Sequence, residues 1–146
     1  LCWNTTDGGF HQHYGVGCVI RNNIFAWNRM AGAVRTSRPE VQHIPCTFHF
    51  HNNIVLVREG PLASWDILNV GGVWANNVWF DVSGRPKFSH NLDWAKWCAT
   101  GHEVNGIYAD PQFVDAAKFD FRLKPESPAF KVGFKAWDYS AAGAKQ

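Results

Sequence analysis

Between residues 7 and 40 the chain gathers the side-chain types that proton transfer and carboxylate recognition require. Asp7 precedes Gly8-Gly9, and Phe10-His11-Gln12-His13-Tyr14 follows. Alternate side chains of a strand point to opposite faces, so His11 and His13 share one face and Phe10, Gln12 and Tyr14 the other. Histidine exchanges protons near neutral pH, which makes His11 an acid/base candidate beside the carboxyls of Asp7 and Glu40. Arg35 and Arg38 offer planar forks that fit a carboxylate. His13 adds a polar contact, and Tyr14 and Trp65 supply rings on which a ligand ring stacks. These residues also have structural explanations. The histidines fit outward strand positions, Arg35 to Glu40 fit a solvated loop with weak surface ion pairs, and Asp7 is a turn former. A histidine pair at i, i+2 has no third ligand at a diagnostic spacing, so no metal and no cofactor is expected.

The elements that must position these groups are marked by a repeated phrase. Two asparagines precede a short apolar run in Asn22-Asn23-Ile24-Phe25-Ala26-Trp27, Asn52-Asn53-Ile54-Val55-Leu56-Val57 and Asn76-Asn77-Val78-Trp79-Phe80. The offsets between first asparagines are 52−22 = 30 and 76−52 = 24 residues. Self-similarity at such a period signals stacked units, each here a strand entered through a tight corner. An asparagine tolerates the left-handed conformation of a corner, and its amide can bond to the equivalent asparagine of the next layer. Leu1-Cys2-Trp3-Asn4 aligns with Ile24 onward, so the sequence is expected to start inside such a unit with an open strand edge. The extra length between the first two pairs falls on Ala33 to Glu40, read as a loop on the binding side.

Charged residues make up 18% of the 146 and the net charge is +2, which offers no field for nucleic acid. No apolar run is long enough to span a membrane. The cysteines at 2, 18, 46 and 98 lack CxxC spacing, and four free thiols are expected, with Cys18 and Cys46 buried as small hydrophobes.

Residues 1–86 therefore read as repeated β units and 87–146 as a capping segment. Leu92, Ala95 and Cys98 recur at helical spacing, with Ser89 or Asn91 as N-cap and Gly101 just past the end. The Pro- and aromatic-rich remainder is expected to pack Trp94, Trp97, Phe113, Phe121 and Phe130 on the last unit and one side.

The asparagine-pair units resemble right-handed parallel β-helix proteins of the PbH1-repeat kind. The stretch from Asp110-Pro111 through Phe113-Val114-Asp115, Asp120-Phe121-Arg122-Leu123 and Ser127-Pro128-Ala129 to Gly133 resembles the C-terminal end of secreted bacterial members. Gly8-Gly9-Phe10-His11-Gln12-His13-Tyr14-Gly15 is similar to a subgroup placed with glycoside hydrolases. The resemblance implies an all-β solenoid of three to four coils with a short helix and an irregular cap, and upstream coils in the parent chain. It implies a secreted or periplasmic carbohydrate-active enzyme hydrolysing a plant or algal polysaccharide, with the present stretch inactive alone. Asp7, Glu40 and His11 would be catalytic, and His13, Tyr14, Arg35, Arg38 and Trp65 would bind substrate. A polysaccharide lyase on the same fold and a non-catalytic carbohydrate-binding module stay open beside it.

Overall fold

The computed structural model describes residues 1–12, 15–29, 31–35, 48–65 and 72–141. These residues are mostly β, in parallel sheets with little helix. The strands are β1 (Cys2–Trp3), β2 (Gly8–Gln12), β3 (Cys18–Arg21), β4 (Ile24–Ala26), β5 (Ala31–Arg35), β6 (Phe48–His51), β7 (Ile54–Val57), β8 (Ala63–Trp65), β9 (Gly72–Ala75) and β10 (Val78–Asp81). Beyond them lie the helix α1 (Trp94–Ala99), then β11 (Ile107–Tyr108), β12 (Phe113–Asp115) and β13 (Asp120–Leu123).

The chain visits three sheets in rotation. β1, β4, β7, β10 and β11 form one parallel sheet; β2, β5 and β8 form a second; β3, β6 and β9 form a third. The register follows the repeated phrase: Ile24 pairs with Ile54, and Ile54 with Val78. Cys2 pairs with Phe25 and Trp3 with Ala26, as the alignment of Leu1 with Ile24 requires.

The first sheet is covered on both faces, which is why its strands read as unbroken apolar runs. Phe25, Val55, Val57 and Trp79 face an interior shared with Phe48, Phe50, Leu62 and Trp74. Aromatic rings stack through that interior, Phe50 lying 4.7 Å from Trp74 and 5.9 Å from Trp79. Phe88 and Trp97 close it at one end, their rings parallel at 4.9 Å. Ile24, Ala26, Ile54, Leu56 and Val78 face the other way, under Phe113, Phe121, Ala129 and Phe134 of the C-terminal segment. The cap thus covers an end and a flank together.

Several expectations need correction. The helix starts at Trp94, capped by Asp93, whose carboxylate accepts from the Lys96 amide at 2.8 Å. Ser89 and Asn91 belong instead to a separate 3₁₀ turn. Phe130 is exposed, and Phe134 takes the buried flank position in its place. Cys18 opens β3 but faces solvent; Cys2, Cys18 and Cys98 are free thiols, and Cys46 lies outside the described residues. Ala33 to Arg35 belong to β5, not to a loop, and Trp65 ends β8 instead of standing in one.

Candidate functional site

The asparagine pairs sit where the chain passes from the third sheet to the first, and the two members of each pair do different work. The second members form an inner row. Asn53 Oδ1 accepts from the Asn23 amide at 2.9 Å and from Asn23 Nδ2 at 3.1 Å. Asn77 Oδ1 takes the Asn53 amide and Nδ2 in the same way, at 2.9 and 3.3 Å. Each Nδ2 also meets a strand-end carbonyl, Asn53 that of Ile20 and Asn77 that of Phe50. Buried amides must find partners, and this row satisfies both side-chain and main-chain groups at each step.

A carboxylate terminates the row. Glu103 accepts from the Asn77 amide at 3.2 Å, from Asn77 Nδ2 at 3.1 Å and from Trp79 Nε1 at 3.0 Å. Only 6% of it is exposed. Burial outweighs those hydrogen bonds and pushes its carboxyl up to about 7. Gly106 stands where another inner asparagine would fall, since Ile107 pairs with Val78. A Cβ on Gly106 would lie 2.1 Å from Glu103 Oε1, so only glycine leaves room for the carboxylate. Glu103-Val104-Asn105-Gly106-Ile107 is therefore a further corner with its side-chain acceptor moved three residues earlier. Searching for paired asparagines misses it; the turn-forming Asn105-Gly106 dipeptide ahead of Ile107-Tyr108 is the sequence signal that marks it.

The first members form an outer row in the left-handed region, with φ of 56° at Asn22, 53° at Asn52, 57° at Asn76 and 56° at Asn105. Two of them hold the C-terminal segment. Asn22 exchanges two bonds with the backbone of Lys135, donating to its carbonyl at 2.7 Å and accepting from its amide at 2.6 Å. Asn52 Nδ2 donates to the Val132 carbonyl at 2.5 Å. The segment is thereby strapped along the corners.

Between strap and corners lies a groove of about 380 Å3 lined by Arg21, Asn22, His51, Asn52, Gly133 and Lys135. Arg21 and His51 are register partners on adjacent strands, each just before an asparagine pair. Parallel strands lie about 4.8 Å apart, so the two side chains form one column. Lys135 joins them from the strap. No Asp or Glu among the described residues lines the groove. The network also assigns the His51 tautomer: Asn52 gives its Nδ2 to Val132, so its Oδ1 must accept from His51 Nδ1 at 2.6 Å. That leaves Nε2 as the ring's second nitrogen for exchange with a ligand. Chemically, the groove is a cationic cleft with amide donors and one imidazole.

The residues singled out from sequence lie elsewhere. Asp7 is exposed in the turn before β2, where its Oδ1 accepts from the Gly8 amide at 2.9 Å. His11 is exposed on β2, opposite Val34, while Phe10 packs on the core and Gln12 is buried, in keeping with the alternation. Arg35 pairs with Gln12 and with Trp65, so the second sheet brings Arg35 and Trp65 into one register row next to that of His11. His13, Tyr14, Arg38 and Glu40 lie outside the described residues.

His51 carries a signal that sequence reasoning passed over, since Arg21 and His51 occupy the same place in consecutive units. Lys135 carries none, because it reaches Asn22 from 113 residues away.

No family model, curated protein or solved structure matches the chain.

Proposed function

We propose that the protein is part of a right-handed parallel β-helix that binds an acidic polysaccharide, with the carboxylates of uronic-acid units seated in the groove of Arg21, His51 and Lys135. The fold reading is supported by pairing of each strand from β1 to β7 with the third one after it and by the inner amide row. Crossovers between parallel strands are almost always right-handed. The single observation that carries the binding reading is the charge pattern: two fixed cations and an imidazole with no carboxylate among the described lining residues. An arginine fork and an ammonium favour carboxylate over hydroxyl, and their exposed position makes the attraction salt-sensitive. Polymers of this kind are extracellular, and we place the protein in a secreted or periplasmic setting with them.

Titrating a galacturonate hexamer and its methyl-esterified, uncharged counterpart tests this reading. The acid form is expected to bind at least about tenfold more tightly, an advantage that shrinks at high salt, and Arg21→Ala is expected to cost about tenfold, or ~1.4 kcal/mol. Equal binding of acid and ester would overturn it.

A lyase is the second reading, favoured by the His51 tautomer. With a uronate carboxylate on Arg21, the Nε2 lone pair would take the C5 proton, a C4=C5 double bond would form, and the C4–O bond would break, its oxygen leaving with the proton handed back by the His51 imidazolium. The unsaturated product absorbs in the ultraviolet, so absorbance that rises in wild type and not in His51→Ala is the readout. Glycoside hydrolysis needs two carboxyls about 5–9.5 Å apart. In this chain that expectation rests on Asp7 and Glu40, of which only Asp7 is described.

A further inference from the structure

Past Lys135 the strap continues to a second cavity of different chemistry. It encloses about 500 Å3 and is lined by Lys118, Phe119, Asp120, Arg122 and the stretch Trp137-Asp138-Tyr139-Ser140. Two ion pairs stand at its rim, Lys118 with Asp115 at 3.0 Å and Arg122 with Asp120, and Asp138 adds a further carboxylate. Arg122 grips Asp120 with two parallel bonds, Nε to Oδ1 at 2.8 Å and a terminal nitrogen to Oδ2 at 2.5 Å. That grip holds the Asp120 carboxyl at about 2, so the pair stays ionised and in place. Asp138 is fixed by the Ser140 amide at 2.8 Å.

The aromatic walls are the unusual part. Phe119 is 42% exposed and Trp137 37% exposed, although both are large apolar side chains. Phe119 also holds a left-handed backbone, φ 63° and ψ 21°, which a bulky L-residue adopts at a cost. Its ring lies against Trp3, centroids 4.3 Å apart. The half-buried Tyr139 ring packs beside Trp137 at 6.5 Å. A pocket of this kind, apolar faces with a few convergent polar groups, is the usual form of a small-ligand site.

We propose that this pocket binds a neutral pyranose unit, its C–H face against Trp137 and Phe119 and its hydroxyls bonded to Asp120, Arg122 and Asp138. A hydroxyl both donates and accepts, and the rim sets donors and acceptors side by side with its two cations already paired to carboxylates, so a ligand with hydroxyls and no charge of its own fits it. The choice of a sugar over another hydroxylated ring rests on the polysaccharide reading of the groove. The site itself is independent of that groove, which takes charge where this one takes shape.

The test uses neutral hexasaccharides of glucose, galactose, mannose and xylose, titrated into the full chain by calorimetry, with circular dichroism to verify the fold. At least one is expected to bind, to weaken about tenfold or more in Trp137→Ala, and to stay within about threefold in Trp137→Phe, which keeps the ring. Arg21→Ala is expected to leave it unchanged. Binding that survives Trp137→Ala overturns the proposal, as does binding lost equally in Trp137→Phe. No neutral sugar bound while galacturonate binds overturns the pocket and leaves the groove standing; no binding of either overturns both.

Discussion

Neighbouring asparagines, one residue apart, meet different fates in this chain. Asn53 and Asn77 are fully buried, and each both accepts and donates, so removing either strands an amide and a carbonyl of the preceding layer. Asn22 and Asn52 are half-buried, turn the corner with positive φ, and spend their amides on the strap. The inner row builds the stack. The outer row builds the groove. One repeated dipeptide thus separates stacking from contact with the strap, and at Asn52-Asn53 and Asn76-Asn77 burial differs across a single peptide bond.

The largest expected effect breaks the inner row. Asn77→Ala leaves the Asn53 amide and the Phe50 carbonyl without their partner and is expected to cost about 3–5 kcal/mol, read as a lower midpoint in denaturant. A cost below about 1 kcal/mol would mean that the row carries little of the stack.

Next comes the terminus of that row. Glu103 titrates from 4.5 in the unfolded chain to about 7 in the folded one. Between those values the folded state binds more protons than the unfolded, so stability falls as pH rises. The interval is worth on the order of 3 kcal/mol, present in full below about 4.5 and gone above about 7. Unfolding at pH 5 and pH 8 checks this, and Glu103→Gln is expected to flatten the difference. The Cys98 thiol, pushed up by burial and then by the Glu103 charge, is expected to react faster with alkylating agents in the same variant.

The smallest effect on stability falls on the outer row. Asn52→Gly keeps a residue at ease with φ of 53° and removes the bonds to Val132 and His51. It is expected to cost about 1 kcal/mol or less while weakening galacturonate binding several-fold, since the strap loosens and His51 loses its fixed tautomer. The same change at Asn53 is expected to act on stability instead. Equal effects at the two positions would erase the distinction between the rows.

Much of the scaffold was legible because amide stacking leaves a local signature. The corner asparagines, the apolar runs and the pairing of Cys2-Trp3 with Phe25-Ala26 all follow from short phrases. The corner at Asn105 was not legible, since a carboxylate from Glu103 replaces the expected amide and a glycine marks its space. The helix N-cap went to Asp93 because only its carboxylate reaches the Lys96 amide, and Ser89 and Asn91 are consumed by an earlier turn. Of the site, half was visible. Arg21 and His51 hold equivalent places in consecutive units, but the groove exists only once the strap lies across the corners. That contact spans most of the chain and leaves no periodic trace. The row of Gln12, Arg35 and Trp65, with His11 in the neighbouring row, lies on the second sheet, apart from the strand column that lines the groove.

On the proposed reading, the groove between strap and corners receives carboxylates. A crystal structure of the protein with a galacturonate trimer tests it most directly. A sugar carboxylate within about 3 Å of the Arg21 guanidinium or the Lys135 ammonium, with His51 beside the ring, is the predicted result. Carboxylates lying away from both cations, on the sheet of Gln12, Arg35 and Trp65 or elsewhere, would contradict it.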